Sequence, residues 1–137
     1  MTTFEAQAKA QPEAISTLTA RVENFLQQQG VDARATYHVA MLIEELMSNL
    51  AIHGSVPDEL AIVRLAVDPA DVRVELLDRG PPFDPRCAPE PDLTTSVEER
   101  QVGGLGLFLM RKFASDISYA RSGAQNCTRF SVRRSRA

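Results

Sequence analysis

The stretch EELMSNLAIHG, Glu44–Gly54, decides how this chain is read. Leu46 and Leu50 extend an apolar stripe that begins at Val39, Leu42 and Ile43. The spacing therefore predicts a helix from about Ala33 to His53, stopped by Gly54. On that helix Glu45, Asn49 and His53 recur every four residues. Each such step advances about 40° beyond a full revolution, so the three line one flank, offset from the leucine stripe. A carboxylate and an amide oxygen one turn apart suit a general base and a hard-cation ligand. Mg²⁺ in particular takes only one or two protein oxygens beside phosphates and waters. The same spacing also serves an ordinary polar flank with local side-chain pairs, and the helix alone does not choose.

Working outward, Pro12 to Gln29 places Ala14, Ile15, Leu18, Val22, Phe25 and Leu26 at helical spacing, with Pro12 suited to a first turn and Gly30 to the stop. Before it, Phe4, Ala6 and Ala8 alternate with polar residues as an edge strand would. After the Glu44–Gly54 helix, Glu59–Val67 and Val72–Leu77 read as strands about the turn Asp68-Pro69-Ala70-Asp71. Leu105 to Phe113 reads as a third helix, and Asp116–Ala120 and Thr128–Arg133 as two last strands around Ser122-Gly123. The order β-α-α-β-β-loop-α-β-β predicts an α/β chain of the α+β two-layer kind, a mixed, mostly antiparallel sheet with helices on one face.

Two further motifs flank a loop. Asp78-Arg79-Gly80-Pro81-Pro82-Phe83-Asp84 puts a carboxylate at the end of an apolar strand, where it can accept from an exocyclic amine, and a glycine beside it lets a flat ligand approach the backbone. Ordinary turn chemistry has the same composition. Gly103-Gly104-Leu105-Gly106-Leu107 opens a predicted helix, where backbone N–H groups and the helix dipole favour phosphate. It lacks the Lys-Ser/Thr of a P-loop and the spacing of the dinucleotide fingerprint, and it also suits a plain hinge. Five of the eight prolines fall between residues 81 and 91, so Pro81–Val102 reads as one long loop. Loops of that length inside a domain are usually lids or binding segments.

Composition narrows the class. The chain has 137 residues, 15 basic and 18 acidic side chains, and a formal net charge of −3, the balance expected of one ordinary globular domain over residues 1–137. No apolar run reaches the roughly 18 residues of a membrane span, and the first residues lack the pattern of a secretory signal. Cys87 and Cys127 stand in no ligand motif, so a reduced, cytoplasmic chain is expected. Charge is uneven: residues 1–110 carry 8 basic and 17 acidic side chains, residues 111–137 carry 7 and 1. Direct nucleic-acid binding is disfavoured by the acidic balance and the lack of a groove-entering motif.

Taken in order, Glu-x-x-x-Asn-x-x-x-His, Asp-x-Gly-x-Pro-Phe and Gly-Gly-x-Gly-Leu resemble the N, G1 and G2 boxes of the Bergerat-fold (GHKL) ATPases, the superfamily of gyrase and the histidine kinases. The chain looks most like the small anti-sigma-factor serine kinases of bacteria. EELMSNLAIHG (44–54), DRGPPFDP (78–85) and GGLGLFLMRKFASD (103–116) carry that resemblance, which spans nearly the whole chain. It implies that Glu45 is the general base, Asn49 the Mg²⁺ ligand and Asp78 the carboxylate that reads the adenine amine of ATP. It further implies that Gly80 lies beneath the base, and that Gly103, Gly104, Leu105, Gly106 and Leu107 cradle phosphates under a lid of about residues 81–102. His53 matches a position near the nucleotide, Thr128 a threonine that binds adenine through water, and Arg100 an arginine that contacts phosphate in some members.

Three departures stand out. Leu50 follows Asn49 where the family usually has a small residue. Gly123 to Thr128 is longer than the family's Gly-x-Thr. Arg100 sits two residues further from the glycines than in those members. The implied activity is transfer of the ATP γ-phosphate to a serine of an anti-sigma-factor antagonist, together with sequestration of a sigma factor or related transcription regulator in partner switching. Homodimerisation is expected from the same likeness. The competing reading is a nucleotide-dependent binding module with little or no kinase activity. The tail residues Arg133, Arg134 and Arg136 read as a solvated terminus.

Overall fold

In the computed structural model, which describes residues 1–54, 59–87 and 110–135, five strands form one sheet. They are β1 (Thr2–Lys9), β2 (Leu60–Val67), β3 (Asp71–Asp78), β4 (Asp116–Ser122) and β5 (Gln125–Arg133), in the spatial order β1-β2-β3-β5-β4. All four pairings are antiparallel, so no parallel pair occurs among the described strands. Helices α1 (Pro12–Gln28) and α2 (Ala33–His53) connect β1 to β2. Residues 110–113 are helical and lead into β4.

Period-2 patterning explains which face the helices cover. Ala61, Val63, Leu65 and Val67 of β2 are buried; the last three register with Leu76, Val74 and Val72 of β3, which in turn face Thr128, Phe130 and Val132 of β5. Onto this face α2 sets Val39, Leu42, Ile43, Leu46 and Met47, and α1 adds Ile15, Leu18, Val22 and Leu26. The opposite face is charged. Arg64 bonds Glu5 on one side and Glu75 on the other at 3.1 Å, and Arg129 reaches Glu75 at 2.7 Å. Partial burial pushes the Glu75 carboxyl up, but the bonds from Arg129 and Arg64 outweigh it and hold it below its ordinary range.

Helix ends follow their local chemistry. α1 starts with Pro12, whose absent N–H costs nothing in a first turn, and closes in a Schellman pattern. There Gly30 N–H donates to Gln27 O at 3.1 Å and Val31 N–H to Leu26 O at 3.0 Å. α2 is capped by Asp32, whose Oδ2 accepts from Ala35 N–H at 3.0 Å. Gly123, at φ 60°, occupies the first position of a two-residue hairpin turn that non-glycine residues rarely adopt. Ser122 pairs directly with Gln125. Residues 125–127, read above as part of a long connection, are therefore strand, and Thr128 lies well inside β5.

Two expectations are corrected. Leu50 is not a member of the buried stripe: it is half-buried at the rim, because the last turns of α2 run past the edge of the core. Nor does the C-terminal end float in solvent. Arg134 donates to Asp68 O at 2.8 Å and Gly30 O at 3.2 Å, Arg34 reaches Arg133 O at 2.7 Å, and Ser135 N–H bonds Asp32 Oδ1 at 2.8 Å. Backbone carbonyls of two turns accept from Arg134 there. Arg136 lies outside the described residues.

Candidate functional site

The last two turns of α2 and the ends of β3 and β5 enclose one cavity. Asn49 and His53 line it from the helix, Asp78 and Thr128 from the strands, and Phe83 from the loop. Helix phase brings the first pair together, since Asn49 and His53 are one turn apart on the flank that faces the sheet end. Sheet register brings the second: Thr128 faces Leu76, and Asp78 faces Asn126, on the helix-covered side. Four residues expected from the sequence to meet at a ligand thus share one wall system.

Asn49 is 6% exposed, and its Nδ2 donates to Glu45 O at 2.9 Å. That bond commits the amide nitrogen to the helix backbone. The carbonyl oxygen Oδ1 has no protein donor among the described residues, and it is the atom a hard cation would use. One turn earlier, Glu45 is half-buried. Burial, then the neighbouring charge of Glu44, raises its carboxyl above the ordinary range. His53 is exposed at the helix end, just before the cap Gly54, whose N–H bonds Leu50 O at 2.7 Å.

At the strand end, Asp78 Oδ1 accepts from Gly80 N–H at 2.9 Å and from Asn126 Nδ2 at 3.0 Å. Gly80 is there for space. A Cβ on it would lie 2.8 Å from Leu50 Cδ1 and 3.1 Å from Asp78 Oδ1, closer than carbon normally approaches either. The large residue after Asn49 therefore packs against the glycine of the second motif, and a Cβ there would force Leu50 to shift.

Asn126 was not singled out from the sequence. It is 2% exposed and uses both ends of its amide. Nδ2 donates to Asp78 Oδ1, to Gly80 O at 3.2 Å and to Pro81 O at 3.0 Å, while Oδ1 accepts from Tyr119 Oη and from Arg121 at 2.9 Å. Arg121 also reaches Gly80 O at 3.0 Å. An available signal was its position two residues before Thr128, which the strand period puts on the same face. Beyond the corner, Pro85–Cys87 forms a 3₁₀ turn, and Asp84 pairs with Arg86 at 2.7 Å. Arg100, Gly103, Gly104, Leu105, Gly106 and Leu107 lie outside the described residues, as does most of the expected lid. Met110, 1% exposed, and Phe113, stacked on His38 at 4.1 Å, seat the end of the third helix against the core.

Comparison with known proteins agrees with this fold. Residues 8–132 match the histidine kinase-like ATPase domain. The chain is 31% identical over 96 residues to the serine/threonine-protein kinase BtrW of Bordetella bronchiseptica, covering 69% of this chain and 68% of that protein. Its fold superposes on the RsbU and RsbW domains of a Mycobacterium tuberculosis protein with a TM-score of 0.72 at 18% identity, over all of this chain and 34% of that one. The Pseudomonas aeruginosa SiaB-SiaC complex gives a TM-score of 0.54 at 14% identity, over 95% of this chain and 89% of that one. At such identities the two structures speak for the fold alone. No helix among the described residues is long and apolar enough to cross a membrane.

Proposed function

This chain belongs to the histidine kinase-like ATPase domain family, and we propose that it acts as an anti-sigma-factor serine kinase. In that reading it binds ATP with Mg²⁺ and phosphorylates a serine of an anti-sigma-factor antagonist. It also sequesters a sigma factor or related regulator. The observation that carries the proposal is the shared cavity, with a carboxylate, Asp78, on one wall and on the other an amide oxygen, Asn49 Oδ1, that has no protein donor among the described residues. Kinship with a protein named as a serine/threonine kinase supports the choice of acceptor.

Residues 1–137 would form one domain, with residues 81–102 as the lid. Asp78 would accept a hydrogen bond from the adenine amine, Thr128 would support the base from β5, and Gly80 would leave room beneath it. Asn49 Oδ1 is the protein atom that fits Mg²⁺, the donor set being one neutral oxygen that leaves the remaining positions to phosphates and water. Bound there, the cation would neutralise charge on the phosphates. Glu45 would take the serine hydroxyl proton as that oxygen bonds to the γ-phosphorus and ADP departs. A carboxylate made more basic by burial is better fitted to that step. Arg100 and the glycines 103–106 would hold the phosphates.

Labelled γ-phosphate transfer to a purified antagonist, with wild type and Glu45→Gln, tests this. Transfer by wild type and at least about a hundredfold loss in the variant is expected, the usual scale for removing a general base. ATP binding without transfer to any cognate antagonist would instead leave a nucleotide-dependent binding module.

A further inference from the structure

We infer that Asn126, held by Tyr119 and Arg121, is the positioning residue that makes Asp78 selective for a purine carrying an exocyclic amine. This deepens the nucleotide reading above and rests on it. A carboxylate has two equivalent oxygens and turns easily about its last torsion. Here Oδ1 is already occupied by two donors, Gly80 N–H and Asn126 Nδ2. Oδ2 has no partner among the described residues. A ligand that bonds Asp78 is therefore left one carboxylate oxygen without a protein donor among the described residues, Oδ2.

The orientation of Asn126 is what enforces this. Were the amide reversed, its carbonyl oxygen would face the carboxylate and repel it. Reversal would also strip Tyr119 Oη and Arg121 of their acceptor, and Gly80 O and Pro81 O of a donor. Two donors on Oδ1 and three acceptors around Nδ2 define the amide uniquely. Sheet register supplies the parts. Asp78, Asn126 and Arg121 occupy one row across β3, β5 and β4, and Tyr119 stands two residues along β4 from Arg121, opposite Thr128. The β4–β5 hairpin thus fixes the base-reading carboxylate, although its polar atoms are consumed before any ligand arrives. Asn126 acts through Asp78, not on the ligand.

The test measures how much the exocyclic amine is worth. ADP and purine riboside 5′-diphosphate, which lacks that amine, are titrated calorimetrically with Mg²⁺ into wild type, Asn126→Ala and the double variant Tyr119→Phe/Arg121→Met. The double variant removes both donors from Asn126 Oδ1 and leaves the buried amide in place, so it stays informative if Asn126→Ala folds poorly. Wild type is expected to prefer ADP by about tenfold or more, the scale of a hydrogen bond to a charged group. The double variant should lose at least about threefold of that preference, and Asn126→Ala nearly all of it, while affinity for the amine-free analogue changes little. Equal weakening of both ligands would mean a merely structural role and overturns the inference, as does an unchanged preference. Wild type that binds neither ligand would remove the nucleotide reading and this inference together. Wild-type selectivity that survives in the variants removes the inference alone.

Discussion

Gly80→Ala separates binding from stability, because the glycine is required by space and not by backbone conformation. Its φ is not positive; the positive-φ glycines among the described residues are Gly30 and Gly123. Alanine would be favoured slightly in the unfolded-state balance, by about 0.4–1 kcal/mol. Against that, the new methyl sits 2.8 Å from Leu50 Cδ1, where carbon pairs prefer about 3.5–4.0 Å, so the leucine must yield by roughly an ångström. A displaced rotamer costs about 0.5–1.5 kcal/mol, and the two terms nearly cancel. The displaced leucine lines the cavity together with Asp78 and Thr128, so its shift is expected to narrow that cavity. A ligand seated there meets an overpacked wall, typically about 1–3 kcal/mol, or roughly five- to 150-fold in affinity. Calorimetric titration with ADP and a thermal melt of the unliganded variant read the two quantities. The expected result is weakened binding with a melting temperature within a few degrees of wild type. Leu50→Ala in the same chain should restore part of the affinity, since it removes the closer of the two crowded atoms. Wild-type affinity in the single variant, or no rescue in the double one, refutes the packing argument.

Three further outcomes are expected. Glu45→Gln should not lower the melting temperature at pH 7: a raised carboxyl pKa means the ionised form is disfavoured in the fold, so stability falls as pH climbs from the unfolded value through the folded one. Differential scanning fluorimetry against pH, with the variant losing that slope, checks it. Asp32→Ala removes the α2 cap and the bond from Ser135, and should cost about 1–2 kcal/mol by urea denaturation. The carboxyls of Asp68 and Glu75 are both held below their ordinary values, Asp68 by the N–H groups of Asp71 and Ala70. Their contribution is complete above the unfolded carboxylate range and is lost as pH falls through the folded values, so Asp68→Asn should flatten the acid limb of a stability profile.

The parts of the fold carried by a single chain period were legible. Ala33–His53 emerges at the predicted bounds because the stripe from Val39 to Leu46 has the helical repeat and Gly54 ends it. Alternation in Phe4, Ala6 and Ala8 likewise revealed β1 at an edge of the sheet. Leu50 misled because the apolar repeat continues one turn after the core has ended. Arg134 misled because its partners, Asp68 O and Gly30 O, are backbone atoms, which no side-chain pattern advertises.

The same distinction explains how the candidate site was only partly visible. Asn49 and His53 lie on one helix, so spacing alone sets them side by side. Asp78 and Thr128 are brought to the same wall by register, which depends on how β3 and β5 align and has no local signature. Asn126 belongs wholly to that second kind. It sits between two strands, and its partners come from β3, β4 and the start of the loop. Such a residue has little value as a sequence mark, since any buried asparagine satisfied by neighbours reads alike. Its significance comes from what it constrains: shifting the β3–β5 register by one residue would turn Asn126 to the outer face and cost Asp78 Oδ1 and two loop carbonyls the bonds that Asn126 donates. The two-residue turn at Gly123 fixes how β5 pairs with β4, and hence which row holds Arg121 and Tyr119. Selectivity at the cavity and pairing in the hairpin therefore rest on one alignment, and a substitution at Gly123 that permits slippage should weaken adenine recognition while leaving the Asn49 flank of α2 intact.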